Sequence, residues 1–346
     1  MIRIGVIGYG YWGPNLVRNF FECPVTEVVA VADLNSDRLG LVNRRYPGVE
    51  TITDYRDILR NPRVDAVAIS TPVTTHFTLA MEALEAGKHV LVEKPMTATS
   101  EEALRLIEKA DRDNLVLMVD HTFVYTGAVR KIRELIDRGS LGEIYYYDST
   151  RVNLGLFQHD VDVIWDLAVH DLSIMEFILP ESPVAVSATG IGHIKGASEN
   201  IAYVTAFYDS SLIAHLSVNW LSPVKVRRTL IGGSRQMIAY DDLETSEKVK
   251  VYDKGITLKN GPESVYKLLV GYRSGDIYCP QLDVTEALRI EATHFADCIE
   301  NGKTPQTDGF AGLRVVSVLE AATKSMKERG RSVPLRTQAA ARLACV

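Results

Sequence analysis

The stretch IRIGVIGYGYWGPN, residues 2–15, decides the fold. Its first seven residues are almost continuously apolar, which predicts a strand buried on both faces. The run breaks at Gly8, and Gly8, Gly10 and Gly13 stand as G-x-G-x-x-G at the head of a helical pattern running to about Glu22. A second apolar strand, TEVVAVAD (26–33), ends in Asp33, 20 residues past Gly13. The glycine spacing alone is weak evidence. Strand, glycine loop, helix and distant carboxylate together give the context that dinucleotide binding requires. In that reading Gly8 permits a tight turn, Gly10 lets the backbone approach a pyrophosphate, and Gly13 lets helix and strand pack closely. The helix N-terminus offers N–H groups to the phosphates. Tyr11 and Trp12, inside the loop, are counted with the cofactor residues. Asp33 would accept from ribose hydroxyls and repel a 2′-phosphate, favouring NAD over NADP, although Arg38 lies within reach.

Outward from this start, strands and helices alternate. DRLGLVNRRY (37–46) reads as a helix, ETITDYRDILRN as a short strand and helix, and VDAVAIS (64–70) as a buried strand. HFTLAMEALEAG (76–87), HVLVEK, SEEALRLIEKADRDN (100–114, with Ser100 as N-cap) and LVLMVDH (115–121) continue the rhythm. Such alternation predicts a parallel sheet covered on both faces. The loop STPVTTH puts Ser70, Thr71, Pro72 and His76 after a strand end, where open parallel sheets contact ligands. From residue 122 the rhythm changes. After the helix GAVRKIRELIDRGS, the alternating IYYYDSTRV and a helix at 163–179, strands are expected at 183–190, 201–208, 211–220, 226–232, 235–240 and 248–253. Close-set strands predict a largely antiparallel sheet. Helices at about 284–300 and 309–328 follow, then a short strand and a frayed end after Val333. The expected fold class is α/β: an N-terminal Rossmann doubly wound parallel sheet (1–121) and a C-terminal α/β domain with an open, largely antiparallel sheet (122–346).

A formal charge of −6 in 346 residues gives no footprint for nucleic acid or an anionic membrane. Four cysteines without a C-x-x-C pair read as reduced thiols, with no disulfide or metal framework. The N-terminus enters a strand directly, with no leader, and no apolar run reaches the roughly 18 residues of a membrane span. A cytoplasmic protein is expected.

Two further stretches carry chemistry. VLVEKPMTATSEE (90–102) ends a buried strand in Glu93 and Lys94, and Pro95 forbids its continuation, so the lysine is either a loop residue in water or an amine that the backbone holds at a fixed point beside a pocket. A cis Lys94–Pro95 peptide becomes a real alternative to trans. In DVDVIWDLAVHDLSIMEFILP (160–180), Asp162 is a reasonable N-cap, and Asp166 and His170 lie four apart on one face of a mostly apolar helix, which makes them either a solvated pair or a site. A carboxylate one turn from a histidine can orient it and stabilise its charged form, which suits acid–base work.

Together G-x-G-x-x-G, EKP (93–95) and the D-x-x-x-H of WDLAVHD resemble the glucose–fructose oxidoreductase, inositol dehydrogenase and MocA family (Gfo/Idh/MocA). The resemblance implies hydride transfer between a nicotinamide cofactor and a sugar or cyclitol carbon–oxygen bond, and homodimers or homotetramers formed through the C-terminal sheet. It implies that Lys94 is a catalytic acid/base or proton relay, that His170 contacts the reacting hydroxyl, and that Asp166 orients or relays. Glu93 of the same motif is counted with the cofactor residues. Many members carry two glycines shortly before D-x-x-x-H, where this chain has DVIW. That variant, with DHTFVYTGAVRKI (120–132) and STRVNLGLF (149–157), resembles the branch of nucleotide-sugar 3-dehydrogenases, such as those acting on UDP-N-acetylglucosaminuronate. Arg151, Asn153 and Gly155 form R-x-N-x-G, a cation and an amide suited to carboxylate or hydroxyl groups. His121 and Tyr125 are further pocket candidates, and Lys225, Arg227 and Arg228 are candidates for a diphosphate. A free-sugar or inositol dehydrogenase is the alternative, and a non-catalytic NAD-binding sensor the more distant one.

Overall fold

The computed structural model describes residues 1–155, 161–194, 198–253, 255–258, 270–273 and 275–335. The chain forms two compact units. Met1–Thr126 and Thr285–Glu320 make the first, and Gly127–Val284 with 321–335 the second. The segment Thr285–Glu320, expected from order in the chain to end the second domain, therefore folds with the first. The expected frayed end after Val333 falls largely on 336–346, outside the described residues.

In the first unit β1 (Ile2–Ile7), α1 (Gly13–Glu22), β2 (Thr26–Ala32), α2 (Ser36–Arg45), β3 (Glu50–Ile52), α3 (Tyr55–Arg60), β4 (Ala66–Ile69), α4 (Val73–Glu85), β5 (His89–Glu93), α5 (Ser100–Asp113) and β6 (Leu117–Asp120) follow one another. The six strands run parallel in the order β3-β2-β1-β4-β5-β6. The order reverses between β1 and β4, so the loops after these strands flank the switch point where open sheets bind ligands. Val67, Ile69, Val90, Val92 and Val119 are fully buried in the sheet, against Leu84 and Ala103 of the covering helices. Burying each such valine or leucine is worth about 1.5–3 kcal/mol. Thr99, and not Ser100, caps α5: its extended backbone turns the hydroxyl onto Glu102 N, while Ser100 is the first helical residue.

The second unit holds α6 (Gly127–Asp137), β7 (Ile144–Leu154), a π turn (Ile164–Ala168) leading into α7 (Val169–Ile178), β8 (Ala185–Ile191), β9 (Ile201–Phe207), β10 (Ile213–Asn219), β11 (Leu221–Gly233), β12 (Met237–Asp241) and β13 (Val249–Tyr252). β14 (Gly255–Leu258) and β15 (Val270–Arg273) pair with each other, and β16 (Ile277–Tyr278) pairs with β13. In the returning segment α8 (Ala287–Asn301) and the start of α9 (Gly309–Lys327) belong to the first unit; the end of α9 and β17 (Val333–Pro334) belong to the second. The large sheet has nine strands, β16-β13-β12-β11-β7-β10-β9-β8-β17. It is antiparallel except where β10 runs parallel to β7. The expected strands at 183–190, 201–208 and 211–220 are β8, β9 and β10.

Candidate active site

The glycine loop discriminates among its own glycines. A Cβ on Gly8 (φ +98°) would lie 2.3 Å from Ser70 O, and one on Gly13 2.2 Å from Gly8 O. The protein's own packing requires both. A Cβ on Gly10 would meet nothing nearer than Arg38 Nη1 at 3.7 Å. That side is open, as a pyrophosphate approach needs. No side chain caps α1 and its first turn carries no acid, so the positive end of the helix is not neutralised. Tyr11 in the same loop is exposed, and Trp12 is half-buried.

Asp33 receives Tyr9 N at 2.7 Å, Asn35 N at 2.8 Å and Arg38 Nη1 at 3.5 Å. A carboxylate offers about four lone-pair sites, so room for a ribose hydroxyl remains. Beside it Leu34 stands almost fully exposed, an apolar edge at the end of β2. These residues fit the adenosine half of a dinucleotide.

Ser70 and Thr71 are half-buried at the end of β4, and Pro72 is exposed at the start of α4. Thr71 Oγ1 meets Thr75 Oγ1 at 2.7 Å. His76 is deeply buried. Its Nδ1 lies 2.9 Å from Pro95 O and its Nε2 2.8 Å from Thr71 O, so the ring bridges the β4 loop and the turn after Lys94. Burial lowers its pKa. The Lys94–Pro95 peptide is cis, and Lys94 is half-buried at the end of β5.

Around that strand end lies a buried polar group that sequence reading only partly found. Asp120, closing β6 at 1 % exposure, accepts Trp12 Nε1 at 2.8 Å and Thr122 Oγ1 at 2.5 Å. The Glu93 carboxyl is held well above the usual range by burial and then by the Asp120 charge. Glu291 of α8 is shifted up for the same two reasons. His121 is 2 % exposed with neither ring nitrogen hydrogen-bonded, and burial, with the charge of Lys94, pushes its pKa down to about 3. Tyr125 is buried, its hydroxyl 3.1 Å from Thr307 Oγ1 and its ring beside His294.

In the second unit Asp162 Oδ1 accepts Ile164 N and Trp165 N, capping the segment as expected. The helix then opens with the π turn, so Asp166 is not one ordinary α turn from His170. Trp220 donates its indole N–H to Asp166 Oδ2 at 3.0 Å. Gly155 serves the same arrangement, since a Cβ there would lie 2.5 Å from Trp220 Cδ1. Arg151 is buried, with Nε 2.7 Å from Asp171 Oδ2 and Nη2 3.2 Å from Oδ1; Ser149 Oγ adds a bond at 2.8 Å. β7 thus grips α7 at the residue after His170. Asn153 alternates onto the face of β7 that carries Ser149 and Arg151. Arg227 pairs with Asp242 at 3.2 Å, while Lys225 and Arg228 are exposed.

The sequence model of the oxidoreductase family with an NAD-binding Rossmann fold (GFO_IDH_MocA) matches residues 2–121, and that of the GFO/IDH/MocA C-terminal domain matches residues 129–239. The chain belongs to the Gfo/Idh/MocA family. Its first unit is the family's NAD-binding Rossmann domain. Among curated Gfo/Idh/MocA relatives, UDP-N-acetylglucosamine 3-dehydrogenase of Acidithiobacillus ferrooxidans is 28% identical over 91% of this chain and 94% of its own length. The NAD-dependent scyllo-inositol 2-dehydrogenase of Bacillus subtilis is 25% identical over 94% of each. A solved structure of the Acidithiobacillus enzyme superposes with a TM-score of 0.79 and 25% identity, covering 94% of this chain and 98% of that one. Like these relatives, the chain is an oxidoreductase of the dehydrogenase type.

Asp120 and Glu291 were missed in the sequence. Asp120 ends an apolar strand as Lys94 does, and Glu291 sits between Leu288, Ala292 and Phe295 on the buried stripe of α8. An acid on such a stripe is the signal that would have found it.

Proposed function

We propose that the chain transfers hydride between NAD(H) and a sugar hydroxyl or keto group, at C3 of a nucleotide sugar resembling UDP-N-acetylglucosaminuronate. The observation that carries this reading is the open side of Gly10 on the same sheet edge that fixes Lys94 at the end of β5. Bound NAD supplies the hydride acceptor. Gly10 and the N-terminus of α1 receive its pyrophosphate, and Asp33 takes the ribose hydroxyls and repels a 2′-phosphate. Lys94 or His170 removes the hydroxyl proton, and Asp166, tethered by Trp220, orients the imidazole or relays its proton. Holding the reacting groups in fixed geometry supplies much of the rate gain. His121 is a neutral wall of the Lys94 environment. Arg151 acts by fixing α7, and Asn153 and Tyr125 remain candidates for substrate contact.

Support for the nucleotide-sugar substrate comes from the UDP-N-acetylglucosamine 3-dehydrogenase relative, whose length and fold match nearly throughout. A second reading, a free-sugar or inositol dehydrogenase, is favoured by the engagement of Arg227 with Asp242, which leaves Lys225 and Arg228 to meet a diphosphate. Reduced-nicotinamide absorbance, followed with NAD or NADP and a panel of UDP- and dTDP-hexoses, UDP-hexosaminuronates, free hexoses and inositols, separates the two. Turnover only on unlinked sugars or inositols overturns the nucleotide-sugar reading. Tight NAD binding without turnover on any of them would leave a sensor.

The exposed face of the nine-stranded sheet carries Ile191, Tyr203, Phe207 and Ile213, with Tyr203 stacked on His215 at 6.2 Å. That composition supports a homodimer or homotetramer through this face, and light scattering after size exclusion tests it. A monomer at micromolar concentration would refute it.

A further inference from the structure

We infer that Asp120 is a positioning residue for the cofactor loop, acting through the indole N–H of Trp12. Trp12 lies between Gly10 and Gly13 and is the N-cap residue of α1, so its conformation sets where the loop's N–H groups point. Its donor reaches Asp120 Oδ2 at 2.8 Å. The strands concerned are not neighbours: β4 and β5 stand between β1 and β6 in the sheet. The tether therefore spans the carboxyl ends of two strands, including β5, which Lys94 follows.

The acceptor is built for the task. Asp120 is 1 % exposed, and Thr122 Oγ1 holds its other oxygen at 2.5 Å. Glu93 of β5 and Glu291 of α8 also lean on Asp120. Trp12 and Thr122 each take one of the two carboxyl oxygens. Asp120 thereby joins the glycine loop to the turn after β6 at one point. Removed from water, with a second donor on the other oxygen, the indole bond weighs more than an exposed one would.

The inference rests on the reading that this unit binds NAD, and calorimetric titration of the full chain with NAD tests the two separately. Wild-type chain that takes up no NAD overturns the cofactor reading and the inference with it. Given wild-type binding, Trp12→Phe, which keeps the ring and removes the donor, is expected to weaken the dissociation constant about tenfold. Asp120→Leu should do the same, and the double variant should be no weaker than either single one, because both remove one interaction. Asp120→Asn, which retains an acceptor for the indole, should stay within about threefold of wild type. Thermal midpoints measured alongside separate positioning from a merely structural role. Unchanged NAD affinity in Trp12→Phe overturns the inference even if Asp120→Leu does not fold. So do losses that multiply in the double variant.

Discussion

The indole of Trp220 donates to Asp166 Oδ2 at 3.0 Å, so a buried aromatic at the junction of β10 and β11 fixes the carboxylate of D-x-x-x-H inside the π turn. The expected outcome of Trp220→Phe is a fall in kcat of about tenfold with little change in the affinity for NAD. Losing one hydrogen bond to a charged group costs about 1.5–3 kcal/mol, so about tenfold stands at the low end of what is expected. Steady-state kinetics with calorimetry checks both parts, and a shift confined to NAD affinity would contradict the assignment.

Arg151 and Asp171 form a buried ion pair with two nitrogen–oxygen contacts, 2.7 and 3.2 Å. Removing Asp171 alone strands a buried guanidinium and should cost about 3–5 kcal/mol. Replacing both residues with apolar ones of similar volume should recover most of the loss. Chemical denaturation of Asp171→Ala and of Arg151→Met combined with Asp171→Leu distinguishes the two. Equal losses would show that the pair does more than lock α7 to β7.

Asp33, with Arg38 Nη1 at 3.5 Å, is the proposed determinant of cofactor choice. Asp33→Ser should remove the repulsion toward a 2′-phosphate and leave Arg38 to attract it. The preference for NAD over NADP should then shift by at least about tenfold toward NADP, read as a ratio of kcat/KM values. An unchanged ratio would place the discrimination elsewhere.

His121 gives a pH dependence with a definite sign. Its folded pKa of about 3 lies below the ordinary histidine value of 6.5, so the unfolded chain binds the extra proton first on acidification. Its contribution to stability is complete above pH 6.5 and is lost as pH falls toward 3, by at most about 1.4 kcal/mol per unit. Glu93 and Glu291, shifted upward, act in the opposite sense, so the measurement is a difference. Between pH 7 and 5 wild type should lose about 2 kcal/mol more than His121→Gln. Parallel stability curves would contradict the burial argument.

The parallel sheet was legible because each buried strand is an apolar run closed by glycine, proline or polar residues, and the cofactor loop because three glycines hold fixed spacing on a strand–helix corner. The π turn was not, since IWDLAVHD has the same apolar pattern in either helical form and one residue of slack leaves no mark. Thr99 and Ser100 both carry a hydroxyl suited to capping, and only the extended backbone at Thr99 decides between them. Arg151 read as a substrate cation because its partner, Asp171, is 20 residues away and arrives only when β7 and α7 pack. Asp120 escaped notice for the same reason: Trp12 lies 108 residues earlier.

Lys94, fixed at the end of β5 beside Pro95, is proposed to take or relay the proton in hydride transfer, alone or with His170. The most direct test is the production of reduced nicotinamide by Lys94→Ala on the sugar that the wild-type chain turns over. The account predicts a loss of kcat of about 10²–10⁴-fold, the range for a general acid–base group, with NAD still bound. Full turnover in Lys94→Ala would contradict it.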